Sequence, residues 1–141
     1  MGFILRVMLL LFALGLSGCL RSEGDCQESG VPPVSGSWEG VVHLGAKGSV
    51  PLTFNLNQNN DCVNGAWVTD QPEAMGGRVG ALSGVLDGGG DMELRMDPAG
   101  WDACAMEVIL SLRGEKLVGR MRPVECAEGV SGSLEFTRAT Y

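Results

Sequence analysis

The sequence lacks the patterns on which most enzymes and nucleic-acid-binding proteins depend. It has one histidine, His43, which we predict to point outward, and it contains no Cys-x-x-Cys pair and no Gly-x-Ser-x-Gly elbow. No segment keeps an apolar period of 3.6 residues, so no helix follows a glycine-rich loop to bind phosphate. Lys and Arg number 10 against 17 Asp and Glu, and a net charge of −7 repels nucleic acid. We therefore predict a protein that is not an enzyme, with no metal, no other cofactor and no nucleic-acid partner.

Long apolar runs are also scarce, and the one present is N-terminal. Arg6 precedes an apolar run from Val7 to Leu16, which has the layout of a secretory signal and is shorter than the roughly 20 residues that span a bilayer. The next residues complete Leu16-Ser17-Gly18-Cys19, which resembles the lipobox of bacterial lipoproteins. This resemblance implies cleavage before Cys19 and a chain held to a membrane by lipid on Cys19. The alternative is an ordinary secretory signal with a coincidental cysteine.

The same resemblance implies a location in the cell envelope. In Gram-negative lipoproteins an Asp directly after the lipidated cysteine favours the inner membrane, and this chain has Leu20 there. Leu20 therefore implies the outer membrane if the host is Gram-negative. We expect a signal peptide over residues 1–18, a lipid-anchored tether over 19–33 and a single β domain over 34–141.

Glycine, in contrast, is abundant, and its positions favour β structure. The 22 glycines include turn clusters at short intervals. The pattern predicts eight strands, approximately 37–44, 50–57, 62–69, 79–86, 91–96, 104–113, 116–122 and 131–138. A motif of apolar, any, Gly, any, apolar recurs five times, and because strand side chains alternate, each copy marks one inner face. The copies are Val34–Trp38, Val63–Trp67, Leu82–Leu86, Leu117–Met121 and Val130–Leu134.

The tight turns predict how the strands pair. The expected pairs include Leu112 with Leu117, Leu86 with Met92, and Leu56 with Val63. In these registers each inward glycine faces a large residue, as in the interior of a small barrel. Eight antiparallel strands in sequence order also allow the first and last strands to pair. We therefore predict an all-β fold, an eight-stranded antiparallel up-and-down barrel, with an open curved sheet or a sandwich as alternatives.

Two segments resemble the calycins, the group of lipocalin-type and avidin-type barrels. Gly36-Ser37-Trp38 is similar to their Gly-x-Trp signature on the opening strand, and Leu134 to Arg138 is similar to their last strand. The resemblance implies a calycin-like barrel and does not indicate a ligand.

Four cysteines remain if Cys19 carries lipid, namely Cys26, Cys62, Cys104 and Cys126. An even number in an exported chain favours two disulfides, for which three pairings exist. In the predicted barrel the first two lie at the end with the tight turns, and the last two lie at the end with the long loops. We therefore predict bridges Cys26–Cys62 and Cys104–Cys126, with zinc binding as the rival role.

Two parts of the predicted barrel are candidate sites. The long-loop end, expected to face away from the membrane, is either an acidic partner surface around a tryptophan or a solvated rim. Its residues are Asp70, Glu73, Asp97, Trp101, Asp102, Glu125 and Glu128. The interior is either a filled core or a cavity for an apolar small molecule. The cavity residues would be Trp38, Phe54, Trp67, Met92, Met96, Met106, Met121 and Phe136.

These observations favour a membrane-anchored, non-catalytic binding or interaction module whose partner is an envelope protein or a foreign protein. One alternative is an inhibitor of a protease or lysozyme, by analogy with other small exported barrels. The other alternative is a carrier of an apolar small molecule.

Overall fold

The computed structural model describes residues 26, 29–100, 104–124, 126 and 129–140. They form β1 (Gly36–His43), β2 (Ser49–Asn59), β3 (Cys62–Val68), β4 (Val79–Leu86), β5 (Asp91–Pro98), β6 (Met106–Arg113), β7 (Lys116–Pro123) and β8 (Gly132–Arg138). Each strand pairs antiparallel with the next, and β8 pairs with β1, which closes the barrel. The predicted eight-stranded up-and-down barrel is confirmed.

Two short helical segments join strands where the sequence shows no helical period. A 3₁₀ turn (Gly45–Lys47) connects β1 to β2, and helix α1 (Pro72–Met75) lies between β3 and β4. Pro72 begins α1, where a missing N–H costs no hydrogen bond, and Gly76 ends it with a φ of 73°. A single helical turn is too short for an apolar period to reveal it.

Two of the three predicted hairpin registers are confirmed. The observed pairs are Leu86 with Met92 between β4 and β5, and Leu112 with Leu117 between β6 and β7. In both hairpins an inward glycine lies opposite a large apolar residue, as expected. These pairs are Gly84 with Leu94 and Gly119 with Leu110.

The register predicted between β2 and β3 is wrong by two residues. Leu56 pairs with Gly65 rather than with Val63. The expected four-residue loop is a two-residue turn instead, because Asn60 adopts the left-handed conformation, with a φ of 53°, and lets the strands continue to the turn. A shift of two residues leaves every side chain on its predicted face.

The inward glycines lie where neighbouring strands approach most closely. At six of them a Cβ would overlap a backbone carbonyl oxygen of the paired strand. The six are Gly40, Gly65, Gly80, Gly84, Gly119 and Gly132. Four of these belong to the recurring motif. The motif therefore permits the strong curvature of a small barrel, in addition to placing small residues opposite large ones.

Among the described residues, 22 buried hydrophobic side chains form one apolar core inside the barrel. Phe54 and Phe136 contact each other within it, with ring centroids 4.5 Å apart. Val34, which precedes β1, and Met75, from α1, each expose 1% or less of their surface and join the core from beyond the two ends of the strands. The core is thus covered at both ends.

The chain that leads into β1 is held firmly at the tight-turn end. The indole Nε1 of Trp38 donates to the carbonyl oxygen of Val34 at 2.8 Å. The Arg138 guanidinium lies 4.4 Å from the Trp38 ring centroid and donates to the carbonyl oxygens of Ser35 and Pro33. These contacts join the start of β1 to the end of β8.

Both predicted disulfides are present. Cys26–Cys62 joins the N-terminal segment to the start of β3, and Cys104–Cys126 joins the segment before β6 to the segment after β7. The four cysteines are therefore bonded in pairs at opposite ends of the barrel, and their thiols are not available to bind zinc.

Candidate functional site

The eight residues considered as a cavity lining all belong to the core. None of them exposes more than 2% of its surface. A hollow large enough for a ligand would leave part of this lining uncovered. The packing therefore favours a core filled by side chains.

Polar groups within the core are few among the described residues. Thr69 is buried, but its Oγ1 donates to the carbonyl oxygen of Pro51 and accepts from the N–H of Gln71, so it holds the loop after β3. The Trp67 indole N–H is buried without a hydrogen-bond partner, and its ring lies directly against Gly80. One lone donor is too little to orient a polar ligand, which requires several converging groups.

The acidic rim is only partly described. Asp70 and Glu73 are exposed between β3 and β4, and Glu73 lies in the first turn of α1. Asp97, at the end of β5, forms an ion pair with Arg95 at 2.8 Å. The remaining rim residues, Trp101, Asp102, Glu125 and Glu128, lie outside the described residues. An acidic partner surface around Trp101 therefore stays a prediction.

His43 points outward from β1 and contacts a serine. Its Nδ1 lies 2.7 Å from the Oγ of Ser49 on β2, and both residues are exposed. The hydrogen bond from Lys116 is the main reason that the pKa of Glu135 on β8 is lowered, and the electrostatic interaction with His43 contributes less. Acyl transfer by such residues requires a shielded pocket, whereas His43 and Ser49 lie exposed on the outer surface of the barrel.

The outer surface of the barrel contains one extended region without charge. Fourteen side chains of β2, β3 and β4 point outward, and none of these side chains is charged. We call this set the uncharged face: Ser49, Pro51, Thr53, Asn55, Asn57, Asn59, Cys62, Asn64, Ala66, Val68, Val79, Ala81, Ser83 and Val85. It includes all the large hydrophobic residues that are exposed in the described part of the chain, Val68, Val79 and Val85, at 37%, 46% and 52%.

Strands β5 to β8 show the opposite pattern, and we call their outward residues the charged face. Ten of the fifteen outward residues are charged, namely Asp91, Glu93, Arg95, Asp97, Glu107, Arg113, Lys116, Arg120, Arg122 and Glu135. Three ion pairs lie on this face: Arg95–Asp97, Lys116–Glu135 and Arg122–Glu107. Lys116 and Glu135 are fully exposed, and their hydrogen bond raises the pKa of Lys116 and lowers that of Glu135.

Reasoning from the sequence missed the uncharged face. The signal was present, because no Asp, Glu, Lys or Arg occupies any outward position of the three strands between Ser49 and Val85. The uncharged face becomes apparent when the charged residues at outward positions are counted for each strand.

No protein-family model matches this sequence, and no curated protein matches it. Within the part of the chain that the structure covers, no helix combines the length and apolar character that crossing a bilayer would require. Over the same residues, His, Cys, Asp and Glu side chains form no group of three or more that could hold a metal ion. The exposed valines and the lack of outward charge on β2 to β4 make the uncharged face the candidate site with the clearest physical basis.

Proposed function

We propose that the chain is a lipoprotein of the cell envelope, held to a membrane by lipid on Cys19, and that its barrel is a non-catalytic interaction module. The observation that carries this proposal is the uncharged face, with three exposed valines on a chain of net charge −7. The centre of an interface is depleted of charged residues, because burying unpaired charge is costly. The uncharged face meets this condition, whereas the charged face does not.

The membrane anchor has separate support. The sequence Leu16-Ser17-Gly18-Cys19 is similar to a lipobox. The two disulfides favour an oxidising compartment, as expected for an exported chain. Leu20 supports an outer-membrane location if the host is Gram-negative. The carrier role gains less support, because the packing favours a core filled by side chains, and the inhibitor role rests on an analogy of fold alone.

The anchor is tested by expressing the full chain in a bacterial host that lipidates lipoproteins. We expect mass spectrometry to find Cys19 as an acylated N-terminal residue, and we expect the protein to float with phospholipid vesicles on a density gradient. The Cys19→Ser variant should lose both the acyl mass and flotation. A Cys104→Ser and Cys126→Ser double variant is the matched control, because it also removes cysteines but should remain acylated. Equal flotation of wild type and Cys19→Ser would contradict the anchor.

A further inference from the structure

The disulfide Cys26–Cys62 determines where the N-terminal segment leaves the barrel. Cys62 is the first residue of β3 and belongs to the uncharged face. The carbonyl oxygen of Cys26 also accepts a hydrogen bond from Nδ2 of Asn60, at 2.7 Å. The segment is therefore attached to the side of the barrel, at the tight-turn end of the uncharged face, rather than to its axis.

The chain between the lipid and this attachment is short. Cys26 follows Cys19 by seven positions, which span at most about 25 Å when fully extended. Neighbouring strands lie about 4.8 Å apart and tilt in a barrel, so the path halfway round eight strands is on the order of 25 Å at the backbone alone. Strand β7 lies four strands from β3 in either direction. Fully extended, the tether only equals this path, so it reaches β7 along the outer wall at its limit and reaches β2 to β4 well within it.

The charge on the two sides must also be considered. Strand β7 points Lys116, Arg120 and Arg122 outward, and these residues would favour contact with anionic lipid if the barrel could turn freely. The tether disfavours that orientation, because it would have to be fully extended. The uncharged face has no charge to desolvate on approaching lipid headgroups, and its exposed valines gain free energy when they leave water.

We propose that the uncharged face lies against the membrane that holds the lipid on Cys19. The barrel then rests on its side along β2 to β4 and presents β6 to β8 to its surroundings. This inference rests on the proposed lipid anchor, and it names the partner of the uncharged face as the headgroup region of the same membrane. Because the anchor makes the contact intramolecular, weak contacts suffice to hold it. The end-on orientation expected from the sequence would instead leave the whole length of β3 and β4 in water.

The test places a fluorescent probe on each side of the lipidated, disulfide-intact full chain. Val79→Cys puts a bimane label at the long-loop end of the uncharged face, and Arg120→Cys puts the same label on β7. Both positions are exposed, outward and within a strand. The proteins are reconstituted in phosphatidylcholine vesicles that contain a headgroup spin-labelled lipid as quencher. We expect quenching at position 79 to exceed that at position 120 by roughly two-fold or more. Val68→Cys repeats the measurement in case the first variant does not fold.

Several results would overturn the orientation. Equal quenching at positions 79 and 120, with strong quenching only for Val85→Cys beside the disulfide, would show that the barrel stands on end. Stronger quenching at position 120 would show that β7 faces the lipid. Shielding of the position 79 probe from aqueous iodide in detergent would show that a second copy or another protein covers the face. If the wild-type protein fails to float, the anchor fails and the orientation falls with it, whereas flotation with the wrong quenching pattern overturns the orientation alone.

Discussion

The two sides of the barrel wall share one core and differ only on the outside. The inward residues Trp67 of β3 and Leu110 of β6 are both fully buried, so the same apolar interior supports the uncharged and the charged face. The ion pairs on the charged face are exposed to water, which screens their attraction, so they add little to stability. Stability therefore comes mainly from the shared core. The difference between the faces is not required for folding and is available for function.

Because the barrel is closed, its uncharged face carries little risk of pairing with strands of other chains. A sheet with free edges and little charge invites pairing with other chains, and edge charges normally prevent it. Here β1 pairs with β8, and each remaining strand has two neighbours. The uncharged strands therefore expose mainly side chains, and β3 and β4 have no free edge along their length.

The largest expected effect comes from replacing one inward glycine on each side of the barrel. The comparison tests whether both sides depend equally on close backbone packing. Gly84→Val acts beneath the uncharged face and Gly119→Val acts beneath the charged face, and in each a Cβ would overlap a backbone carbonyl of the next strand. We expect each variant to lose about 3 kcal/mol or more in the free energy of unfolding, measured by urea denaturation with tryptophan fluorescence. Gly88→Ala, in an open turn, is the control and should change little. Tolerance of valine at only one site would show that the two sides do not share the same curvature.

Removing each disulfide in turn should distinguish an effect on folding stability from an effect on the orientation of the barrel at the membrane. The bridged cysteines are separated by 36 and 22 positions in the sequence, so removing either pair should cost about 3–4 kcal/mol in the chain-entropy estimate. Replacing Cys26 and Cys62 by serine also frees the tether from β3, so we expect the quenching difference between positions 79 and 120 to disappear. Replacing Cys104 and Cys126 should lower stability and leave that difference intact. Loss of the difference in both double variants would show that stability alone controls orientation.

A single charge should weaken the contact of the uncharged face without unfolding the protein. Val79→Glu and Arg120→Glu both alter exposed positions, and we expect each to change the free energy of unfolding by less than about 0.5 kcal/mol. On vesicles that contain anionic lipid, Val79→Glu should reduce quenching of a probe at position 68, since a charge near such a surface contributes about 1 kcal/mol. Arg120→Glu should not. An equal reduction by both variants would show that net charge, rather than the face that carries it, sets the contact.

Much of the fold could be predicted because inward residues follow a strict period of two. The segment Leu82–Leu86 shows this period together with its glycine, and the short glycine turn that follows determines the register with β5. The residues from Asn57 to Asn60 are all polar, so no apolar pattern constrained the β2–β3 register. Any of several asparagines could have adopted the left-handed turn, and only tertiary packing selects Asn60.

The candidate site was harder to predict than the core. Apolar periodicity identifies the residues that leave water on folding, and these are the inward residues of each strand. The uncharged face consists of outward residues from three strands, and their adjacency depends on the registers that join β2, β3 and β4. The close approach of backbone at Gly84 and Gly119 is likewise a property of the closed barrel rather than of the local sequence.

The smallest expected effect concerns the pH dependence of the charged face. Lys116 lowers the pKa of Glu135, so this contribution to stability is present above the ordinary pKa of Glu and is lost as the pH falls through the lowered value. Glu135 raises the pKa of Lys116, so that contribution is present below the ordinary pKa of Lys and is lost as the pH rises through the raised value. We expect Glu135→Gln to return the pKa of Lys116 toward its ordinary value, measured by NMR titration. Because both groups are fully exposed, added salt should weaken the shift in the wild type. Asn55→Ala, on the uncharged face, should leave the Lys116 titration unchanged, and a shift there would show that the two faces are electrostatically coupled.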